Sequence, residues 1–501
     1  MKLLFVTSEA HPLAKTGGLA DVSRALPLAL QRQGVDVRLV MPGYPRAIAQ
    51  LRNPQVAVRL APAYGIDDGL LIAGTFPDCN LPVWLVSSVK LFGRAGGLYQ
   101  DDAGNAWPDN ALRFAFLSKV AADLALGRTA IAWRPDVVHA NDWHTGLVLL
   151  FLAQHKGPRP STVFTTHNMA FQGNFAPHEV PDLGPAAVAE LEFYGRISYL
   201  KAGLRYADRV TTVSPTYARQ ILTPEYGCGL DGDLQLRGDD FSGILNGIDE
   251  AAWNPATDPF LAANYRLHDM SGKRQCKSEF QREQGLPTEP DTPLIGFVSR
   301  LTDQKMADTL IEALPWIAAQ GAQLAVVGEG DRTLEAALAD AADRNSSWLT
   351  VTIGYDEALA HKLQAGCDIL LAPARFEPCG LTQLYALRYG TLPVVRRTGG
   401  LADTVVDTNN SSICEHTATG FVFNDPSSSS MIVALSRALA LYRDPLHWRL
   451  LQLQAMTREF GWDASAGRYM DLYRDVTGTA FERNADLEGG ENEDAARRAA
   501  G

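Results

Sequence analysis

The chain has 501 residues, of which 46% are hydrophobic and 20% are charged, and its formal net charge at pH 7 is −12. This length exceeds what one hydrophobic core usually supports, so we expect a folded protein with two domains. The negative charge excludes non-specific binding to nucleic acid or to an anionic membrane, since both need a basic surface, but it leaves room for a local anion site.

The first half of the sequence is typical of a parallel α/β unit. Short apolar runs predict buried strands, and a helical pattern from Leu19 to Gly34 follows a glycine-containing loop. Strands that alternate with helices imply right-handed crossovers and a doubly wound sheet. The predicted strands are residues 3–6, 35–40, 136–140, 162–166 and 209–213.

The same alternation restarts in the second half, which predicts domains at residues 1–245 and 246–475. Residues 254–292 are polar and interrupted by turns, so we expect a connection with a helical insert rather than core. Residues 483–501 have almost nothing to bury and are expected to form a disordered tail. The predicted elements are a helix at 308–319 and strands at 294–298, 324–327, 349–353, 368–372 and 392–395.

One seven-residue pattern occurs in both halves. Residues 15–21 read Lys-Thr-Gly-Gly-Leu-Ala-Asp, and residues 397–403 read Arg-Thr-Gly-Gly-Leu-Ala-Asp. Each run lies between a predicted strand and a helix, where free backbone N–H groups favour an anion. A shared strand-to-helix turn explains the repeat as well as a ligand role does, and both interpretations stay open.

Six cysteines are scattered without any Cys-x-x-Cys spacing, so we expect reduced thiols rather than disulfides or a zinc site. The apolar run at residues 3–6 is interrupted by Thr7, Ser8 and Glu9, which disfavours a signal peptide. No stretch is long and apolar enough to span a bilayer. We therefore expect a cytoplasmic protein without a membrane or nucleic-acid partner.

Ligands of open parallel sheets bind beyond the carboxyl ends of the strands, so the loops there carry the candidate chemistry. Neither Gly-x-Gly-x-x-Gly, nor a P-loop, nor His-Glu-x-x-His, nor Gly-x-Ser-x-Gly occurs in the sequence. Asp231 and Asp233 could form a metal-binding carboxylate pair, but Asp and Gly also cluster in loops for turn reasons. We favour a plain loop there and expect no metal site.

Two loops of the second half suit a diphosphate. Arg300 and Lys305 follow a predicted strand, and two cations five positions apart on such a loop can face one diphosphate. Solvated surface cations are an equal alternative. Glu377 lies in a tight Pro-Cys-Gly turn before a helix expected to start at Leu381, where it could bind sugar hydroxyls or oppose the helix dipole.

Polar side chains also follow strands of the first half. His167, at a strand end beside Asn168, is a better catalytic candidate than His139, which lies inside an apolar strand and is expected to be a hydrogen-bonded core residue. Asp142 lies in a similar position. Trp143 is more typical of packing than of a sugar platform.

Taken together, these motifs resemble the family of bacterial glycogen synthases and plant starch synthases over residues 1–475. The matching runs are residues 15–22, 299–305, 375–383 and 397–401. The resemblance implies an α/β protein of GT-B architecture, with two Rossmann-like doubly wound domains facing a central cleft and terminal helices that cross back to the first domain. It implies transfer of glucose from ADP-glucose to the non-reducing end of an α-1,4-glucan such as glycogen, with retention and without metal or cofactor.

Carried over residue by residue, the resemblance implies that Arg300 and Lys305 hold the diphosphate and that Glu377 hydrogen-bonds the donor glucose. It also implies that Lys15 and Gly18 close on the donor from the opposite domain. The catalytic candidates are Glu377, His167, Asp142 and Lys15, with His167 and Asp142 lining the sugar pocket. The other substrate-binding candidates are Asp21, Tyr355 (stacked on the base), Cys379, Gly380, Leu381 and Thr382.

The sequence departs from the family pattern after Lys305, where Met306 stands in place of the usual glycine, so the start of the following helix is open. Other retaining GT-B enzymes carry a second glutamate eight positions after the first. Here that position is Tyr385, as in the glycogen synthase branch, so Glu377 is not expected to be one of an acid–base pair.

Two other functions fit parts of this pattern: an epimerase or phosphorylase-like enzyme, and a non-catalytic glucan- or nucleotide-binding protein. Glucan-dependent release of nucleoside diphosphate separates a synthase from both. The residues alone do not decide between ADP-glucose and UDP-glucose, or the oligomeric state, although the bacterial resemblance favours ADP-glucose.

Overall fold

The structure is a computed structural model that describes residues 1–354 and 356–478. The expected base contact of Tyr355 and the expected disordered tail at 483–501 therefore lie outside the described residues. Two compact units are present: unit 1 contains residues 1–213, 218–247 and 462–478, and unit 2 contains 214–217 and 248–461. None of the helices in the described ranges is both long and apolar enough to cross a membrane.

Unit 1 is built on a nine-stranded sheet and a small three-stranded one. The strands in chain order are β1 (Lys2–Val6), β2 (Asp36–Pro42), β3 (Arg52–Arg59), β4 (Leu70–Thr75), β5 (Pro82–Ser87), β6 (Val137–Asn141), β7 (Ser161–Thr166), β8 (Asn174–Phe175), β9 (Glu192–Phe193), β10 (Arg196–Ser198), β11 (Arg209–Thr212) and β12 (Phe241–Gly243). The large sheet has the order β12-β11-β7-β6-β1-β2-β5-β4-β3, and β4 runs antiparallel to both of its neighbours, β3 and β5.

The central strands are parallel because both of their faces are covered. Leu3, Leu4, Phe5 and Val6 of β1 are fully buried, and Leu3 pairs with residues of both β2 and β6. The strands predicted in this half are confirmed within two residues at each end. Strands β3, β4 and β5 were not predicted; β3, at the edge of the sheet, is mostly exposed and lacks a continuous apolar run.

Helices cover the sheet of unit 1. Up to residue 247 the helices are α1 (Gly18–Arg32), α2 (Pro45–Gln50), α3 (Val89–Phe92), α4 (Asn110–Ala125), α5 (Gly146–Ala153), α6 (Pro185–Leu191), α7 (Tyr199–Tyr206), α8 (Pro215–Gln220) and α9 (Asp231–Gln235), and the first residues of α8 belong to unit 2. The terminal helix, residues 462–478, returns to this unit after unit 2. It is fixed there by Tyr473, whose hydroxyl lies 2.7 Å from Nδ1 of His139.

Unit 2 has a six-stranded, fully parallel sheet of order β15-β14-β13-β16-β17-β18. Its strands are β13 (Leu294–Val298), β14 (Gln323–Gly328), β15 (Leu349–Ile353), β16 (Ile369–Ala372), β17 (Leu392–Arg396) and β18 (Phe421–Phe423). Its helices are α10 (Ser271–Glu283), α11 (Ala307–Ala319), α12 (Arg332–Arg344), α13 (Glu357–Gly366), α14 (Thr382–Arg388), α15 (Gly399–Thr404), α16 (Asn410–Cys414), α17 (Ser428–Tyr442) and α18 (Pro445–Met456).

The connection before this sheet is part of the core, so the prediction that residues 254–292 lie outside it was wrong. Tyr265 and Phe280 are buried in one cluster with strand residues of β13 and β14. The Trp253 ring, just ahead of the segment, stacks at 3.7 Å on both His361 and Tyr385. Widely spaced aromatic side chains anchor this segment, and a periodicity search does not detect such spacing.

Candidate active site

Each of the two large sheets has one switch point, a pair of adjacent strands from which the chain continues toward opposite edges of the sheet. In unit 1 it lies between β1 and β6, and in unit 2 between β13 and β16. Loops that leave a switch point diverge and open a crevice at the carboxyl ends of the strands. The candidate residues follow these strands and their neighbours in both units.

In unit 2, the loops after β13 and β16 bring Lys305 and Glu377 into direct contact. The Lys305 ammonium donates to Oε2 of Glu377, and the two side chains are only 20% and 11% exposed. Gln304 supports the pairing, since its side-chain amide donates to the Phe376 carbonyl at 3.1 Å and its own carbonyl accepts the Arg375 N–H at 2.9 Å. A cation and a carboxylate are thus held at fixed positions at the switch point.

Arg300 lies on the same loop with its side chain toward solvent. Its guanidinium makes one long hydrogen bond, 3.3 Å, to the side chain of Gln304. An exposed guanidinium with several donors left over can accept an anion without breaking a strong pairing. Arg300 and Lys305 are therefore available together on one loop.

Met306 explains how the chain turns from this loop into a helix. It has φ 55° and ψ 35°, the left-handed conformation that favours glycine, and α11 begins at the next residue. The helix start that the sequence left open is therefore Ala307. The Met306 side chain is fully buried, which offsets part of the backbone strain by packing in the core.

The turn that carries Glu377 is built by glycines and a buried glutamine. Gly380 has φ 73°, and Gln383 donates from its side chain to the Cys379 and Gly380 carbonyls at 3.1 and 2.9 Å. Leu381, which was expected to start the helix, is its N-cap, and α14 begins at Thr382. The candidate residues Cys379, Gly380, Leu381 and Thr382 thus form the entry to α14.

The second Gly-Gly run is explained by packing. The Gly400 N–H lies 3.2 Å from both the Glu377 and Pro378 carbonyl oxygens, and a Cβ on Gly399 would overlap the Glu377 carbonyl. The first run differs, because a Cβ on Gly17 would meet no atom within 4 Å. The second loop is therefore a structural support of the Glu377 turn, whereas packing does not account for Gly17 of the first loop.

In unit 1, the first run forms an exposed loop before α1. Gly18 is the first residue of that helix, and Lys15 makes an ion pair of 2.8 Å with Asp21 in its first turn. Both side chains are 31% exposed. This places three of the candidates, Lys15, Gly18 and Asp21, at one helix start.

Asp142 and His167 meet at the ends of β6 and β7. The Asp142 carboxylate accepts the His167 N–H at 2.7 Å, and Nε2 of His167 lies 3.1 Å from the Asn141 side chain. Asp142 has φ 57°, a strained conformation for a residue with a side chain. Burial raises the pKa of Asp142 to about 7 and lowers that of His167 to about 3, so His167 is neutral at physiological pH.

Glu9 belongs to this cluster and was not among the predicted residues. It follows β1, is 3% exposed, and accepts hydrogen bonds from both the backbone N–H and the hydroxyl of Thr16. Burial raises its pKa to about 7, an effect to which the nearby charge of Asp142 adds. Its position directly after the first apolar strand could have marked Glu9 as a candidate site residue. In the sequence it served only as an argument that residues 1–9 are not a signal peptide.

Two core predictions of the first half are confirmed. His139 is fully buried, and its ring nitrogens lie 2.7 Å from the hydroxyls of Tyr473 and Thr165. Trp143 packs in the unit 1 core, where its ring stacks on His144 at 3.8 Å and meets Phe114 edge-on. These two side chains serve structure.

The loop expected around Asp231 and Asp233 is instead the short helix α9. Asp231 begins it, and the Asp233 carboxylate lies 3.4 Å from Arg205 and 3.8 Å from Lys201. Two cations therefore already face that carboxylate. Within residues 1–354 and 356–478, no group of three or more His, Cys, Asp or Glu side chains is placed to hold a metal ion.

Two doubly wound units, each with one switch point in its large sheet, are typical of glycosyltransferases with the GT-B fold. The family profile "Starch synthase catalytic domain" matches residues 2–236, and "Glycosyl transferases group 1" matches residues 278–449. A glycogen synthase of Burkholderia thailandensis is 51% identical over 95% of this chain and 90% of its own length, and one of Thioalkalivibrio sulfidiphilus is 48% identical over 95% and 100%. The chain belongs to the glycogen synthase family.

Solved structures agree with this assignment. The catalytic domain of starch synthase IV from Arabidopsis thaliana, bound to ADP and acarbose, has a TM-score of 0.85 and 31% identity, covering 95% of this chain and 99% of that one. A sucrose-phosphate synthase from Thermosynechococcus elongatus has a TM-score of 0.59 and 18% identity, with the same coverage, and shows the fold alone.

Proposed function

We propose that this chain transfers glucose from ADP-glucose to the non-reducing end of an α-1,4-glucan, with retention of configuration and without a metal ion. The observation that carries this function is the Lys305–Glu377 contact beside Arg300, at the switch point of unit 2. Membership of the glycogen synthase family supports this function, and the similar starch synthase IV was solved with ADP and acarbose bound.

In this mechanism Arg300 and Lys305 bind the diphosphate of the donor. When the bond between glucose and phosphate breaks, the departing ADP gains negative charge, and preorganised cations stabilise that charge in the transition state. The backbone N–H groups at the entry to α14, around Leu381 and Thr382, contribute in the same direction, and Cys379 and Gly380 shape their turn. Glu377, released by Lys305 as the phosphates arrive, accepts hydrogen bonds from donor glucose hydroxyls.

The unit 1 residues act on the sugars. We propose that Asp142 and the neutral His167 line the sugar pocket, because their hydrogen bonds fix both side chains at the ends of adjacent strands. Lys15 and Gly18, with Asp21 orienting the Lys15 ammonium, are proposed to bind the donor. Tyr355 is proposed to stack on the base.

Release of nucleoside diphosphate from each donor, with and without glycogen, tests the function. We expect rapid ADP release from ADP-glucose only when glycogen is present, with slower turnover of UDP-glucose. Glucan-independent turnover of the nucleotide sugar would indicate an epimerase, and binding without turnover would indicate a non-catalytic protein. A faster reaction with UDP-glucose would overturn the choice of donor.

A further inference from the structure

Glu9 is a buried acid that supports an exposed loop. Its side chain lies inside unit 1, whereas residues 15–18 of the loop are exposed to solvent. The Thr16 hydroxyl is 3.1 and 2.9 Å from the two carboxylate oxygens, and the Thr16 backbone N–H donates to Oε2 as well. Thr16 is adjacent to Lys15, so the position of Glu9 sets the position of that lysine's backbone.

A second carboxylate in unit 1, that of Asp208, also accepts the backbone N–H and the hydroxyl of a threonine, but it has an arginine beside it. Asp208 accepts the backbone N–H and the hydroxyl of Thr162, each at 2.9 Å, and also receives two hydrogen bonds of 2.9 Å from Arg159. The Arg159 charge compensates the burial of Asp208, so this pair is a stabilising clamp.

The groups that face Glu9 are mainly acidic. Asp142 and Asp21 raise its pKa through their charges, and the phenols of Tyr44 and Tyr99 lie close enough to be affected by its own charge. A buried carboxylate among acids is costly to stability. Such a cost is typical of functional sites, where stability is lost in favour of a required geometry or charge.

We propose, on the basis of the glycosyl transfer proposed above, that Glu9 is a positioning residue that acts through Thr16 to hold Lys15 and the start of α1 in the geometry needed for transfer. The ionised carboxylate accepts both Thr16 donors. Protonation removes the negative charge that strengthens these hydrogen bonds and turns one oxygen into a hydroxyl, which is a weaker acceptor, so the loop loosens when Glu9 gains a proton.

The direction of the pH effect follows from burial. An unfolded glutamate ionises near 4.5 and the folded Glu9 near 7, so the folded protein holds an extra proton between these values. Stability therefore falls as the pH rises from about 4.5 to about 7, and the full cost persists above 7. Neutralising Glu9 removes this cost, whereas a purely structural clamp would lose stability when neutralised.

Glu9→Gln tests this, with Asp208→Asn as the matched control. At about pH 8 we expect Glu9→Gln to keep or raise the Tm, to lower kcat roughly tenfold to a hundredfold, and to speed hydrogen exchange in the peptide that contains Thr16. The kcat of Glu9→Gln should also change less between about pH 6 and 8 than that of the wild type. Of the two interacting carboxyls, only that of Asp142, and no longer that of Glu9, titrates in this range in the variant. Asp208→Asn should lower the Tm and leave kcat unchanged below the transition.

A double-mutant cycle with Thr16→Val separates positioning from direct contact with substrate. If Glu9 acts through Thr16, adding Thr16→Val to Glu9→Gln costs little further activity, whereas independent roles give additive losses. Additive losses, an unchanged kcat, unchanged exchange at Thr16, or a Tm that falls together with kcat would each overturn the inference. Hydrogen exchange and Tm do not depend on turnover. They therefore still report on the contact between Glu9 and Thr16 if ADP-glucose proves not to be the donor.

Discussion

At the residue scale, Glu377 has two different attachments. Its carboxylate contacts Lys305, while its carbonyl oxygen accepts the Gly400 N–H at 3.2 Å. The backbone attachment holds the turn in place whatever the side chain does. The side chain can therefore exchange its lysine partner for a substrate hydroxyl without unfolding the loop.

Glu377→Ala is accordingly expected to lower turnover by about a hundredfold to a thousandfold while the protein remains folded, because a hydrogen bond made in the transition state is lost. Steady-state kinetics beside a thermal unfolding curve measures both quantities. Glu459→Ala, which removes an exposed carboxylate from the loop after α18, is the control and should leave both unchanged. Near-normal turnover of a folded Glu377→Ala variant would remove this residue from the site.

A site residue can be predicted from sequence alone when the neighbouring residues mark it, as a motif or the end of a strand does. Arg300, Lys305 and Glu377 lie on short loops directly after apolar strands, so motif and position together single them out. Glu9 has no motif of its own, because its importance comes from burial and from a partner seven positions away. Met306 looked like a departure from the family pattern, and only its backbone conformation shows that it occupies a glycine-type turn.

At the scale of elements, the two Gly-Gly loops show that one local sequence can serve two purposes. The loop before α15 is pressed against the Glu377 turn, whereas the loop before α1 is open to solvent. Local turn chemistry is the same in both, so the sequence could not separate them. The difference arises from what each sheet places next to the loop.

Gly399→Ala should disturb the proposed active site through the contact between the loop before α15 and the Glu377 turn. Gly399 has φ 42°, and a methyl group there would overlap the Glu377 carbonyl, so the turn must shift. We expect a loss of about 1–3 kcal/mol of stability and a roughly tenfold or larger fall in kcat. Gly467→Ala in the terminal helix, where a Cβ meets no neighbour, should instead stabilise the protein by about 0.5–1 kcal/mol with normal activity. A Gly399→Ala variant with full kcat would show that the turn tolerates movement.

At the scale of the whole molecule, most of the doubly wound strands were predictable because they contain short apolar runs, whereas the three-residue strands β12 and β18 were not predicted. The return of the terminal helix to unit 1 came only from family resemblance, since the contacts that fix it join residues far apart in the chain, 334 positions for the Tyr473–His139 hydrogen bond. Residues 254–292 were predicted to lie outside the core but are part of it. Their few buried aromatic side chains are not regularly spaced, so the sequence pattern gave no sign of burial. Long-range packing, rather than local preference, decides both cases.

The central claim is that side chains of this protein, and not a metal ion, hold the diphosphate during transfer. The most direct measurement is the amount of ADP released and glucose incorporated into glycogen from ADP-glucose in the presence of excess EDTA. We predict one ADP per glucose added, at a rate equal to that without chelator. Complete loss of activity with EDTA, restored by Mg²⁺ or Mn²⁺, would contradict the roles given to Arg300 and Lys305.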